Sequence, residues 1–438
     1  MLKFLPFSIG PQVQKYLLNS TWMLVEQCLR LISGVFVGIY IARYLGPEQY
    51  GVISYALAIS AFALAVSRLG MDAVLVRELV TSKARTNTLM GTAFWMMFTA
   101  ATFCYMLMVL SVFLSSEQSQ VKLYIYIISS SVFFATSLVG DYYFQSRVQA
   151  KFSTMCKVAA LAVMSIVKLI LVFLSADVYY FVLAALADHA LLAVFLVIAL
   201  KRKYNFEFLT CFSWPDARSM LSSVWPMVLT AVASLIYMRI DQVMIRNMLG
   251  MYEVGLYSAA VRIYEAWIVL PYVITVSLIP VVVKLRQGDF STYQLRLVQL
   301  FRLVIGLSVV AAVVVSLVGE RLMIFAFGSS YSEAAPVLSI VMWSAVFASI
   351  GSVSARYFNV ERMERKIAFR TLFAAGLNIL LNFILIPRYG ISGAAIATLI
   401  CTFIANYVMD WFDRDLTVLL NIKHRAMFWI PLKRGSYE

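Results

Sequence analysis

Apolar runs of about 20 residues follow one another along the whole chain, separated by short polar stretches. Each is long enough to cross roughly 30 Å of hydrocarbon as a helix. Twelve spans are predicted. In the first half they cover roughly Leu17–Ala42, Gly51–Ser67, Gly91–Leu114, Leu123–Gly140, Val158–Ser175 and Val178–Leu200. In the second they cover Met220–Met244, Val254–Pro280, Leu303–Gly319, Ala334–Ala355, Thr371–Pro387 and Ile391–Met409. A closed membrane barrel would need alternating strands of about ten residues, and these runs are too long and too uniformly apolar for that. The pattern predicts an all-α, polytopic membrane protein.

Composition agrees. Of 438 residues, 62% are hydrophobic and only 13% charged, against about 25% charged in ordinary soluble domains. Charge position then sets the orientation. Of the 36 Lys and Arg residues, 27 fall in the N-terminal tail, the even-numbered loops and the C-terminal tail. Five (Arg43, Lys122, Arg246, Arg321, Arg388) fall in the odd-numbered loops, and four lie within spans. The positive-inside rule puts both termini in the cytoplasm. The formal net charge of +14 is thus a topology signal, and no loop carries a folded reader of nucleic acid.

Cys28, Cys104 and Cys401 lie in spans, and Cys156 and Cys211 in cytoplasmic loops. None is placed for an outer disulfide, and no metal spacing is visible. Met1–Gln14 lacks the apolar core of a cleavable signal. No Gly-x4-Gly-Lys-Ser/Thr loop occurs, so ATP-driven transport by this chain alone is not expected. Loops are short, which argues against an enzyme with a folded outer domain.

The chain repeats itself. Leu45-Gly46-x4-Gly51-x2-Ser54-x-Ala56 returns 204 residues later as Leu249-Gly250-x4-Gly255-x2-Ser258-x-Ala260. Met23, Leu31, Ile32 and Ile41 match Met227, Leu235, Ile236 and Ile245 at the same offset. Six spans separate the copies, an even number, so the halves share one orientation. Parallel repeats in a membrane protein point to a transporter whose path runs between them. The expected organisation is a six-helix lobe over 1–205, a second over 206–409, and a cytoplasmic tail over 410–438.

The segment Ala42–Ala56, Ala-Arg-Tyr-Leu-Gly-Pro-Glu-Gln-Tyr-Gly-Val-Ile-Ser-Tyr-Ala, resembles the opening of polysaccharide flippases. Asn378–Thr398, Asn-Ile-Leu-Leu-Asn-Phe-Ile-Leu-Ile-Pro-Arg-Tyr-Gly-Ile-Ser-Gly-Ala-Ala-Ile-Ala-Thr, resembles their end. Both are similar to the Wzx-type O-antigen flippases of the multidrug/oligosaccharidyl-lipid/polysaccharide exporter superfamily. The resemblance implies two six-helix lobes around a central cavity in the bacterial inner membrane. It also implies a cargo of undecaprenyl-pyrophosphate-linked oligosaccharide, of the kind used in lipopolysaccharide biosynthesis, moved from the cytoplasmic to the outer leaflet. No cofactor is implied. A polysaccharide polymerase and a chain-length regulator are expected partners.

A charge at mid-bilayer costs about 2.5–3.5 kcal/mol, so charges inside spans are the best pointers to chemistry. They are Glu26 and Arg30 in span 1, Lys168 in span 5, Asp188 with His189 in span 6, Arg239 and Asp241 in span 7, and Arg262 and Glu265 in span 8. Glu26 and Arg30 are four apart and Arg262 and Glu265 three apart, so each pair shares a helix face. Either they neutralise one another, or each carboxylate holds an arginine that binds a lipid pyrophosphate. The guanidinium fork suits phosphate oxygens. The resemblance favours the second reading, since peptidoglycan-precursor flippases line their cavity with arginines in spans 1 and 8.

Arg239 and Asp241 are two apart and point about 200° from each other, so they need separate partners. Asp241 is expected to face Asn378 and Asn382. The precursor flippases hold sodium with an Asp in span 7, two polar residues in span 11 and a Thr in span 12. Carried over, that site is Asp241, Asn378, Asn382 and Thr398, with Asn382 standing where the family has an acid. Interhelical amide bonding is the alternative use of these residues. Lys168 either contacts cargo or pairs with Asp188, and His189 offers a proton route, so the coupling ion is sodium or a proton. The expected function is a lipid-linked oligosaccharide flippase; the competing one is a drug or cation antiporter of the same superfamily.

Overall fold

The computed structural model describes residues 11–429 apart from 205, 288 and 289, and among these every regular element is a helix. Ten helical segments are long and apolar enough to cross a membrane. Two of them bend sharply at a glycine, Gly46 (φ 72°) and Gly390 (φ 59°), and each holds two of the expected spans.

In the first half the helices are α1 (Pro11–Ser67), α2 (Met71–Thr81), α3 (Thr86–Leu114), α4 (Ser119–Ser129), α5 (Ser131–Phe134), α6 (Leu138–Ser146), α7 (Ala150–Phe173) and α8 (Val178–Lys203). The second half has α9 (Trp214–Met248), α10 (Met251–Gln287), α11 (Phe290–Phe327), α12 (Ala335–Val360), α13 (Glu364–Asn406) and α14 (Thr417–Met427). Span 4 is broken into α4, α5 and α6, and spans 11 and 12 form the two limbs of α13.

The chain forms two compact units, Met1–Val37 with Ile59–Val232, and Gly38–Ala58 with Ala233–Glu438. They are not the sequence repeats: the division falls within α9, not in the Lys201–Ser219 loop, and the bend of α1 joins the second unit. In the first unit, Met71, Leu75 and Leu79 of α2 pack with Met90 and Met97 of α3 and Phe144 of α6. In the second, Tyr293 and Phe301 of α11 and Ile350 and Val353 of α12 pack with Leu416, Leu419 and Ile422 of the tail.

The repeated motif explains why the bend of α1 belongs to the second unit. Its first glycine makes a turn in both copies, at positive φ (72° at Gly46, 147° at Gly250), where a side chain would be strained. Its second glycine makes a close approach in both copies. A Cβ on Gly51 would lie 1.9 Å from the Met251 carbonyl oxygen, and one on Gly255 would lie 1.8 Å from that of Pro47. Each copy of the motif thus seats its glycine on the backbone of the other. Both contacts are to backbone, which cannot step aside as a side chain can. Gly51→Ala should therefore reach or exceed the upper end of the about 1–3 kcal/mol typical of overpacking. The check is thermal unfolding in detergent, where Gly306→Ala, with open space around it, should behave as wild type.

The C-terminal tail is part of the second unit's core. Asp410 is buried between two cations, Arg370 of α13 and Lys423 of α14. Lys423 also donates to the Asn406 carbonyl at 2.7 Å, and Arg370 stacks on Phe358 with its guanidinium carbon 4.7 Å from the ring centre. Complete burial pulls the Lys423 ammonium down to about 8 from its ordinary 10.5, although the Asp410 charge opposes this. The folded state therefore holds this proton less tightly than the unfolded one. Between pH 8 and 10.5 the unfolded chain binds more protons, so the contribution of Lys423 to stability rises through that interval. The melting temperature of wild type relative to Lys423→Met should increase from neutral pH to about pH 9.5. A flat or falling difference would contradict this burial account.

Candidate functional site

In the second unit the decisive residue is Arg262 of α10. Its Nε is buried with no hydrogen-bond partner. The guanidinium lies flat enough against α1 that a Cβ on Gly38 would sit 3.0 Å from both Nε and Nη2. A methyl at 38 would press on it and push it slightly aside. The expected pairing of Arg262 with Glu265 does not form. Glu265 instead meets Arg239 of α9 at 3.0 Å, with both side chains about a quarter exposed. Helix spacing put Arg262 and Glu265 on one face, but the neighbouring helix offered Glu265 a better-placed cation. Among the described residues, Arg262 keeps its charge without a carboxylate, whereas Arg239 and Glu265 neutralise each other.

Asp241 turns the other way from Arg239, as its two-residue offset requires. It is buried and accepts from Tyr257 Oη at 2.5 Å, Asn382 Nδ2 at 2.5 Å and Thr398 Oγ1 at 2.9 Å. Asn382 Nδ2 also reaches Asn378 Oδ1 at 3.1 Å. The four residues set out as a sodium site therefore come together, joined by Tyr257. Two atoms of the cluster, Asn382 Oδ1 and Asn378 Nδ2, are buried without partners, an arrangement that native interiors rarely tolerate. Rotating the Asn382 amide would aim its oxygen at the carboxylate, which is favourable only with a cation between them. One carboxylate with hydroxyl and amide oxygens matches the charge and hardness of a monovalent cation. Asp241, Asn378, Asn382 and Thr398 would hold it, and it would neutralise the buried Asp241 carboxylate, which has only neutral hydrogen-bond partners.

In the first unit, Arg30 and Glu26 form an ion pair along α1. The Glu26 side chain is only 10% exposed and that of Arg30 is 61% exposed, so the carboxylate anchors one edge of the guanidinium and leaves the rest open. Lys168 of α7 pairs with Asp188 of α8, and Ser33 meets Ser165 at 2.6 Å.

Three charged residues here escaped the sequence reading. Lys157 Nζ donates to Asp141 Oδ2 at 2.7 Å, Gln145 Nε2 donates to the same oxygen at 3.1 Å, and Asp141 Oδ1 is buried without a partner. Arg68, just past the end of α1, is close enough for its charge to act on Arg30, Tyr142 and His189. All three stand within one residue of a predicted span edge. Hydropathy windows end at charges, so such residues are assigned to loops even when the fold draws them inward.

The comparisons with known proteins now bear on the geometry. The model of the polysaccharide biosynthesis protein family matches residues 40–336, well over half of the chain. The chain belongs to that family. A probable low-salt glycan biosynthesis flippase of Haloferax volcanii is 24% identical over 50% of this chain and 46% of its own length. The chain spans less than half the length of the curated relatives it matches. Among solved structures, a multidrug resistance MATE family transporter of the MOP superfamily, in its inward-facing conformation, aligns over 90% of this chain and 95% of its own at TM-score 0.75 and 15% identity. The lipid II flippase MurJ, in an inward closed conformation, aligns over 96% and 94% at TM-score 0.70 and 16% identity. At these identities the likeness shows the fold: the chain shares the all-helical fold of these two transporters.

Proposed function

We propose that this protein is a flippase that moves undecaprenyl-pyrophosphate-linked oligosaccharide from the cytoplasmic to the outer leaflet of a bacterial inner membrane. Transport would proceed by alternating access. The observation that carries this reading is the guanidinium of Arg262, half-buried at membrane depth and without a carboxylate partner among the described residues. A cation there is costly and calls for an anion, and a lipid pyrophosphate supplies one with phosphate geometry. Family membership and the glycan flippase relative support the choice of cargo class. Arg30, braced by Glu26, is the corresponding cation of the first unit, and Arg68 adds to the positive field around it. Arg239 and Glu265, paired with each other, and Lys168, paired with Asp188, would shape the wall and not hold the headgroup.

Movement needs an energy source, and the Asp241 cluster is the candidate site for a coupling cation. Both termini would lie in the cytoplasm, and a polysaccharide polymerase and a chain-length regulator would be partners downstream of transport. The second reading, a drug or cation antiporter, is favoured by the exposed carboxylate of Asp188, whose side chain is 37% exposed. Native mass spectrometry with undecaprenyl pyrophosphate separates the two. Wild type should retain the lipid and Arg262→Ala should lose it. Equal retention by both, with uptake of organic cations, would favour the antiporter.

A further inference from the structure

We propose that the second unit contains its own access path for the coupling cation, running from the membrane face that carries Arg365 and Lys366 to Asp241. This rests on the reading of Asp241 as an ion site and adds the route to it. The path follows one stripe of α13. Thr398, Thr402 and Asn406 are spaced four apart, so they stack on a single helix face. A fully apolar stripe would be the inexpensive choice in hydrocarbon; polar side chains inside a span mark ion routes or water-lined cavities.

Each polar side chain of the stripe has a partner, Thr398 on the carboxylate and the other two on the carbonyl one turn back. Thr398 Oγ1 donates to Asp241 at 2.9 Å, Thr402 Oγ1 donates to the Thr398 carbonyl at 2.6 Å, and Asn406 Nδ2 donates to the Thr402 carbonyl at 3.1 Å. At the far end lies a cavity of about 120 Å³, bounded by Tyr237, Gly351, Ser354, Arg370, Thr371 and Asn406. That volume holds a few waters. Gly351 is needed for it: a Cβ there would sit 2.3 Å from Asn406 Oδ1. Arg370 borders the cavity and pairs with Asp410, which it shares with Lys423.

Between the cavity and the ion site, the Tyr237 hydroxyl meets Thr402 Oγ1 at 2.5 Å. Thr402 is buried and Tyr237 partly so. This hydroxyl pair is the gate of the path. When it separates, the hydroxyls of Thr398, Thr402 and Tyr237 and the amide oxygen of Asn406 offer the cation ligands.

The test uses the full chain with its five cysteines replaced by alanine, reconstituted in vesicles. Thr402→Cys and Asn406→Cys are exposed in turn to a charged, membrane-impermeant methanethiosulfonate reagent from each side. Both should label from the face bearing Arg365, Asn406→Cys faster than Thr402→Cys, and sodium should slow labelling at 402 severalfold. Adding Asp241→Asn should abolish that protection and leave labelling intact. No labelling at either position, while Arg365→Cys labels, would overturn the path and leave the ion site standing. Labelling that ignores both sodium and Asp241→Asn would overturn the ion-site reading itself. Asn406→Cys, at the cavity edge, keeps the test decisive if Thr402→Cys fails to fold.

Discussion

Arg262→Ala is expected to abolish transport while leaving the fold as stable as wild type, or more so. Hydrogen bonds to a charged group are each worth about 1.5–3 kcal/mol, so losing a two-pronged grip on phosphate removes about 3 kcal/mol or more. That is roughly a hundredfold loss of affinity. On the stability side the sign reverses. The Arg262 Nε is buried and unpartnered, and removing an uncompensated cation from an apolar setting relieves a cost. A residue with a purely structural role would show the opposite pattern, lower melting temperature with transport falling in proportion. Arg262→Lys should keep part of the activity, since charge remains and the planar fork does not. Gly38→Ala should be milder than Arg262→Ala, because its methyl would press on the end of a flexible side chain that can shift by a few tenths of an ångström. Transport in proteoliposomes beside thermal unfolding of the same samples checks all three.

Asp241→Asn carries the second large effect. In wild type the carboxylate accepts three hydrogen bonds from Tyr257, Asn382 and Thr398. An amide at this place offers one acceptor oxygen and a donor that faces other donors, leaving at least one buried donor unpaired at a cost of about 1–3 kcal/mol. It also removes the only formal charge of the cluster. Sodium should raise the melting temperature of wild type, by the equivalent of about 2.7 kcal/mol at a hundred times its dissociation constant, and should leave Asp241→Asn unmoved. Ion-driven transport should be lost with it. A sodium shift that persists in Asp241→Asn would place the cation elsewhere.

Most of the fold was legible because membrane spans obey a simple solvent rule, and the glycine repeat was legible because it recurs whole. What the repeat does was not. Only the structure brings Gly51 onto Met251 and Gly255 onto Pro47, since spacing along a chain says nothing about which backbone comes close. The site was legible in the same uneven way. The offset between Arg239 and Asp241 correctly separated their directions, and the four-residue spacing of Asn378 and Asn382 put both beside Asp241. Spacing failed for Arg262 and Glu265, because sharing a face leaves the choice of partner to the neighbouring helix. It also missed Lys423, a lysine in the expected cytoplasmic tail that the fold buries against Asp410.

The central claim is that the cargo is a lipid-linked glycan, and the leaflet that holds it is the most direct reading. In cells lacking this protein, and any second flippase, the lipid-linked unit should accumulate on the cytoplasmic leaflet and surface glycan should be lost. The intact gene should restore both, and the Arg262→Ala form neither. Normal surface glycan, with the lipid-linked unit distributed as in wild type, would contradict the flippase assignment.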